Sequence, residues 1–311
     1  MKSRFKTISG HIYSLNENYF RMSKFHFANI IANIISYMML IALSVIFLAP
    51  FIYMLGHSLM SSTDLADINV VWLPRSFIMK NYSLAITVLN YKSRLIWSLL
   101  ITVTGVIGQV ASCSFVGYGL GRINFKGRGT AFALIIFSML VPPQTIIMSQ
   151  YLMFARAGFL NTAVPIVMPT FFSLGLNGGL FVFLFRQFFK SMPRELEDAA
   201  LIDGAGVFGA YFRIMLPNCS STILVTVILS FIWQWNNYFE PTIYINDLSK
   251  YTLVMMLSNL RETALNQFNL SGFNNGINLA ATVLCALPPI ILFFVLQRWF
   301  IKGIETTGLA N

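Results

Sequence analysis

Long apolar runs, separated by short polar segments, dominate this chain. Six runs reach about 20 residues, the length a helix needs to cross the hydrocarbon of a bilayer. They cover approximately 28–56, 95–120, 130–150, 163–186, 218–245 and 277–301. The pattern predicts an all-α integral membrane protein, with six transmembrane helices within 27–311 and a cytosolic tail over 1–26. The first run begins near Phe27 and continues to about Leu55, too long for the core of a signal peptide. It is therefore expected to be an uncleaved first helix. The third and fifth runs are the least regular, because Pro, Gln, Asn and Trp interrupt them.

Two runs contain adjacent prolines, Pro142-Pro143 followed by Gln144, and Pro288-Pro289. Proline removes a backbone donor, and in lipid the freed carbonyl needs a partner. Such breaks face protein or a watery cavity. A kink serving packing alone and a wall lining a pathway are both compatible with this, and Gln144, Thr145, Ser149 and Gln150 make the third run the better cavity wall. Gly105, Gly108, Ala111, Gly117, Gly119 and Gly121 mark the second run. Small residues there suit close helix packing more than ligand contact.

Composition agrees with the pattern. Apolar residues make up 56% and charged residues 10%, whereas a soluble domain carries about 25% charged residues. The net charge of +10 does not form a basic face for nucleic acid, because the cations cluster between apolar runs, as membrane orientation requires. With the N-terminus in the cytosol, fourteen of the 21 Lys and Arg residues fall in inner segments and seven in outer ones. That excess supports six spans with both ends inside. Cys113, Cys219 and Cys285, like His11, His26 and His57, are isolated, so neither a disulfide framework nor a metal site is expected.

The stretch "RELEDAALIDGAG" (194–206) is an exception within this pattern. Four of the eleven acidic residues, Glu195, Glu197, Asp198 and Asp203, lie in it. Ser191 or Met192 reads as a helix cap with Pro193 in the first turn, and the acids sit at the positive end of the helix dipole. Gly204 supplies a turn at the helix end, and Asp203 is placed to cap a second short helix over Ala205–Leu216. The coupled segment, about 189–217, is expected at the cytosolic face. An amphipathic helix resting on lipid would be rich in Lys and Arg. Here acids balance bases, which favours docking to a protein partner.

The run Asp198-Ala199-Ala200-x-x-Asp203-Gly204-Ala205-x8-Ile214-x-Leu216-Pro217 resembles the EAA loop of ABC-importer permeases, with Asp in place of Glu at its first position. "WLPRSFIMKNYSLAI" (72–86), "GYGLGRINFKGR" (117–128), "SMLVPPQTIIMSQYLMFARAGFLNT" (138–162), "FIWQWNNYFEPTIYI" (231–245) and "LQRWFIKGIETTGLAN" (296–311) are similar to the maltose-type carbohydrate branch. The resemblance extends from about residue 70 to the end, and residues 1–26 carry no recognisable pattern. It implies a type I ABC-importer permease fold and a subunit that pairs with a second, homologous permease. It also implies two cytosolic ATPase subunits, an extracytoplasmic substrate-binding protein and a sugar substrate. Carried onto this chain, Asp198, Ala199, Ala200, Asp203, Gly204, Ala205 and Pro217 would form the ATPase-coupling surface. ATP and Mg would sit on the partner subunits, since the chain has no GxxxxGK[ST] phosphate loop. HExxH and GxSxG are absent as well, so no catalytic residues and no bound cofactor are expected.

"WQWNNYFEP" (233–241) places aromatics and amides in the outer half of the fifth run. At helical spacing Trp233, Asn236, Asn237 and Glu240 share one face, and aromatic and amide chemistry suits a sugar path. An interfacial aromatic belt is the competing reading. With Gln144, these residues are the candidates for lining a pathway. The amide-rich outer loop 246–276 is either a solvated loop or the surface that meets a binding protein. A secondary transporter or channel for a polar solute is the alternative function. It would want intramembrane ionisable groups, and Glu240 is the only acid expected inside a span.

Overall fold

The computed structural model describes the backbone of residues 2–270 and 272–308, and side chains for 30–270 and 272–299. Helix α1 spans Lys2–Ser58. The expected tail, 1–26, falls on its first part, outside the residues whose side chains are described. From Ile30 to Leu55 the apolar side chains of α1 are exposed on every face, as suits a helix surrounded by lipid or a partner. The segment that follows carries α2 (Ser62–Ala66), capped by Ser61 Oγ, which accepts from the Asp64 amide at 3.0 Å. After α3 (Lys80–Leu89), left-handed Asn90 (φ 46°) turns the chain into α4 (Tyr91–Arg122).

Helix α4 is the central post, and its buried stripe explains the small residues of the second run. A methyl group at Gly108 would stand 2.3 Å from Thr170 Oγ1, and one at Gly117 would stand 2.6 Å from Phe185 Cβ. One at Gly105 would meet the Gln234 side chain at 3.2 Å. These glycines let other segments approach the backbone of α4, so packing accounts for them. Gly119 has open space around it.

The expected third run forms two helices, α5 (Arg128–Ser138) and α6 (Pro143–Arg156), bent by 97° at Pro142-Pro143. The expected fourth run, 163–186, is not one helix. It divides into α7 (Val164–Val167), a 3-10 turn (Met168–Phe172) and α8 (Gly178–Ser191). Pro165 and Pro169 remove donors, and left-handed Ser173 and Asn177 (φ 58° and 56°) end the turn. Past the loop, α9 (Glu195–Ile202), α10 (Val207–Ala210) and α11 (Leu216–Asn218) precede α12 (Ser220–Trp235). The axis bends by 74° between 207–218 and 220–235. Then come α13 (Phe239–Tyr244), α14 (Leu253–Ser258), α15 (Leu260–Asn266) and α16 (Asn275–Gly308). Among the described residues, three helices, α1, α4 and α16, are long and apolar enough to cross a membrane unbroken, and the two bent pairs raise the number to five. Any sixth crossing has to be built from the broken α7–α8 stretch.

The two proline pairs behave differently. Helix α16 runs through Pro288 and Pro289 without a break. The carbonyls four residues earlier belong to Leu284 and Cys285. Tyr91 Oη donates to the first at 3.0 Å and Trp235 Nε1 to the second at 3.0 Å. Both freed acceptors are thus repaired by side chains of neighbouring helices, which allows the helix to persist in an apolar setting. At Pro142-Pro143 the surrounding residues are exposed and the chain bends instead. Cys113, Cys219 and Cys285 are free and buried, His57 stacks on Tyr53 at 3.7 Å, and no metal-binding cluster occurs among the described residues.

Trp235→Phe keeps the buried ring but strands the Cys285 carbonyl, which should lower stability by about 1–3 kcal/mol in detergent-solubilised thermal unfolding. Adding Pro289→Ala returns a backbone N–H to that carbonyl and should recover most of the loss.

Candidate functional site

Helix α9 starts two residues later than its sequence suggests. Met192 is extended (ψ 144°) because the residue before a proline is pushed out of the helical region. Helix α8 therefore ends at Ser191, and α9 starts after Arg194 with no side-chain cap. Its far end is a Schellman turn. The Ala205 amide donates to the Ala200 carbonyl at 2.9 Å and the Gly204 amide to that of Leu201 at 3.1 Å. Gly204 has φ +83°, with nothing within 4 Å of where a Cβ would stand. Asp203 is the C-cap, and its own amide donates to the Ala199 carbonyl. It does not cap the second helix, which starts after Gly206.

That second helix is also not uniform. Residues Tyr211–Met215 form a π turn between α10 and α11. Pro217 cannot donate to the carbonyl four residues back, and a wider turn accommodates the missing bond.

Contacts with α4 decide how α9 is held. Tyr118 and Arg122 lie one turn apart at the end of α4 and converge on a single carboxylate, Glu197. Tyr118 Oη donates to Glu197 Oε1 at 2.5 Å, and Arg122 Nε lies 2.9 Å from Oε2. The second contact is an ion pair by proximity, since the Nε–H is not aligned as a hydrogen bond. The Arg122 guanidinium also donates to the carbonyls of Met192 (3.0 Å) and Pro193 (2.8 Å). One side chain thus ties the end of α8, the start of α9 and the end of α4 together. Tyr118 packs on Phe189 and Tyr211 at 5.6 and 5.1 Å, and Ser114 Oγ pairs with Tyr211 Oη at 2.8 Å. A displacement of α9 must carry α4 with it or break this set.

The predicted surface residues divide between two faces. Ala200 is 3% exposed and turns inward, while Asp198, Ala199, Asp203 and Gly204 face outward and Ala205 is half-buried. Of the two alanines, only Ala199 is therefore open to a partner. Pro217 is exposed. Around the outward face stand Leu201, Ile202, Phe208 and Phe212, with Ile202 85% exposed. Exposed apolar groups thus adjoin exposed polar ones on this interhelical segment. Sequence reasoning missed Tyr118, Arg122 and the role of Glu197. The only available signal was Arg122 lying four residues after Tyr118, and nothing in the sequence shows what that pair faces.

The candidate pathway residues do not share a helical face. Helix α12 stops at Trp235, Asn236 is its C-cap, and α13 starts at Phe239. Trp233, half-buried, packs on Phe181 at 5.5 Å. Asn236 Nδ2 returns to the Ile232 carbonyl at 2.9 Å. Asn237 Nδ2 donates to Glu240 Oε2 at 2.8 Å, so these two form a pair at the break. Gln144 lies in the exposed turn at the start of α6. Among the described residues no hydrogen bond links it to Asn236, Asn237 or Glu240. In the loop 246–276, a side-chain hydrogen bond from Ser249 at 2.7 Å and its backbone amide at 2.9 Å hold the Asp247 carboxyl below its usual range.

Residues 113–306 match the family described as binding-protein-dependent transport system inner membrane component. The chain is 29% identical over 264 residues to the probable starch degradation products transport system permease protein AmyC of Thermoanaerobacterium thermosulfurigenes, covering 85% of this chain and 92% of that protein. It is also 29% identical to the arabinooligosaccharides transport system permease protein AraQ of Halalkalibacterium halodurans, over 84% of this chain and 91% of the relative. A crystal structure of a bacterial ABC transporter involved in the import of the acidic polysaccharide alginate contains a chain that superposes with a TM-score of 0.73 at 21% identity. That superposition covers 87% of this chain and 96% of the other. The all-helical architecture is the type I ABC-importer permease fold. The chain belongs to the family of binding-protein-dependent transport system inner membrane components.

Proposed function

We propose that this chain is a permease subunit of an ATP-driven importer for a sugar or oligosaccharide, coupling closure of ATPase subunits to alternating access. The observation that carries the reading is the outward face of α9, with Asp198, Ala199, Asp203 and Gly204, pinned to α4 through Glu197. A partner pushing on that face moves the central helix directly. The relatives named for starch products and arabinooligosaccharides support a carbohydrate substrate. The distribution of Lys and Arg supports an N-terminal tail and an α9 loop on the cytosolic side.

The partners in this reading are a second, homologous permease, two cytosolic ATPase subunits that hold ATP and Mg, and an extracytoplasmic substrate-binding protein. The chain itself would hydrolyse nothing. Asn236 and the Asn237–Glu240 pair, at the break between α12 and α13, and Gln144, at the bend before α6, are the residues proposed to line the path. Backbone breaks of this kind suit a water-filled cavity.

A tagged full-length chain, solubilised under conditions that preserve membrane complexes, should retain an ATPase subunit. Failure to retain one would remove the basis of the reading. Gly204→Asp is sterically open but puts a new carboxylate on the docking face, at a left-handed position that costs about 1 kcal/mol. The variant should insert in the membrane at normal levels while uptake falls about tenfold, the equivalent of about 1.4 kcal/mol of coupling. Glu197→Ala removes the shared acceptor of Tyr118 and Arg122. It should leave ATPase subunits bound but reduce substrate-stimulated ATP hydrolysis and uptake together, and wild-type coupling in this variant would show that the Glu197 link transmits nothing.

A further inference from the structure

Beside the coupling surface lies a cavity of about 350 Å³ with an uneven charge balance. Arg122, at the end of α4, Arg128, at the start of α5, Lys190, at the end of α8, and Arg194, just before α9, all line it. Two carboxylates share the lining, Glu197 and Asp198. Glu197 is already taken by Arg122 and Tyr118. Arg128 uses one nitrogen on the Ile123 carbonyl and Asn124 Oδ1. Lys190 and the Arg194 side chain have no hydrogen-bond or ion-pair partner among the described residues. Three cations therefore face one available carboxylate, Asp198, in a concave site. That is the chemistry of an anion receptor, and guanidinium groups match the geometry of phosphate oxygens.

The position of α5 indicates where the anion comes from. None of its residues is buried. It is held to α8 through Phe132, which stacks on Phe183 at 6.2 Å and lies under the Arg186 guanidinium at 3.8 Å. The rest of α5 presents Leu134 and Phe137 outward, 62% and 63% exposed, and Phe125 is exposed just before Arg128. Apolar side chains thus adjoin the cationic cavity at a level where α4 and α8 end and α5 begins. Charge below an apolar, outward-facing helix is the arrangement of a headgroup site at a bilayer boundary.

We propose that this cavity binds the phosphate headgroup of an anionic phospholipid, with Arg128, Lys190 and Arg194 as its ligands and the acyl chains lying along α5. Glu197, Asp198 and Leu201 of α9 all line it, so a bound headgroup braces α9 beside the Glu197 link. The proposal rests on the cavity and on α5. Only the assignment to the cytosolic leaflet depends on the orientation proposed above, so absence of a bound ATPase subunit would leave the lipid test unaffected.

The full-length chain is placed in nanodiscs of phosphatidylethanolamine containing phosphatidylglycerol, and the phosphatidylglycerol retained after release is counted by native mass spectrometry. Wild type should hold one tightly bound molecule. Lys190→Gln with Arg194→Gln should retain at least tenfold less, while Lys190→Arg with Arg194→Lys restores it. Equal thermal unfolding of wild type and the Gln pair in discs of phosphatidylethanolamine alone would show that the loss is not misfolding. If the Gln pair does unfold, Arg128→Gln on the other wall should give the same loss. Equal retention by wild type and variants would overturn the proposal. So would displacement of the lipid by millimolar inorganic phosphate, which marks a site for a soluble anion, or retention that appears only when the cavity is left uncovered by an ATPase subunit, which marks a protein-docking site.

Discussion

A backbone carbonyl in hydrocarbon has no water to bond, and the architecture follows from how each segment meets that constraint. Helix α16 contains two consecutive prolines yet stays helical, because Tyr91 and Trp235 reach across to the Leu284 and Cys285 carbonyls. These bonds join α4 and α12 to α16 at the same level, so the repair of one helix also assembles three. Where no neighbour supplies donors, as at Pro142-Pro143, the chain turns by 97°. Rigid and bent elements in one molecule thus differ less in their own sequence than in which side chains stand beside them.

The same accounting applies at the end of α8. Pro193 forces Met192 to be extended, and the carbonyls of both would be left without partners. The Arg122 guanidinium takes both and also pairs with Glu197. What looks like a cost of ending a helix becomes the joint between α4 and α9. A buried ion pair is seldom a source of stability in itself. Here its value is positional, since two helix ends and a short surface helix are held in one register, and the outward face of α9 is presented on a rigid support. The cationic cavity behind that face is a by-product of the same convergence, because the ends of α4 and α8 each contribute basic residues to one small volume.

Much of the architecture was legible in the chain. Long apolar runs with few charges leave no option but helices in a bilayer, and Gly105, Gly108, Gly117 and Gly121, though not Gly119, mark where other segments approach α4 closely. The Asp203-Gly204 pair marked a helix end, and the left-handed Gly204 closes the Schellman turn there. Other expectations needed correction. The run 163–186 looked continuous because hydropathy ignores the lost donors of Pro165 and Pro169. Trp233, Asn236, Asn237 and Glu240 were expected on one face because helical spacing assumes an unbroken helix, and α12 ends at Trp235. Ala199 and Ala200 looked equivalent, yet only one of them faces outward.

The sequence by itself determined the environment and the helical class and marked out the segment proposed to meet a partner, because these depend on composition, period and local turn chemistry, all of which are properties of neighbours along the chain. Tertiary structure alone decided which proline pair bends its helix, which alanine is buried, and which carboxylate anchors α9. Each of those outcomes depends on residues far apart in the chain: Trp235 on Cys285, Tyr118 and Arg122 on Glu197. A hydrogen bond or ion pair forms only where folding brings its two halves together, and no local pattern encodes that distance.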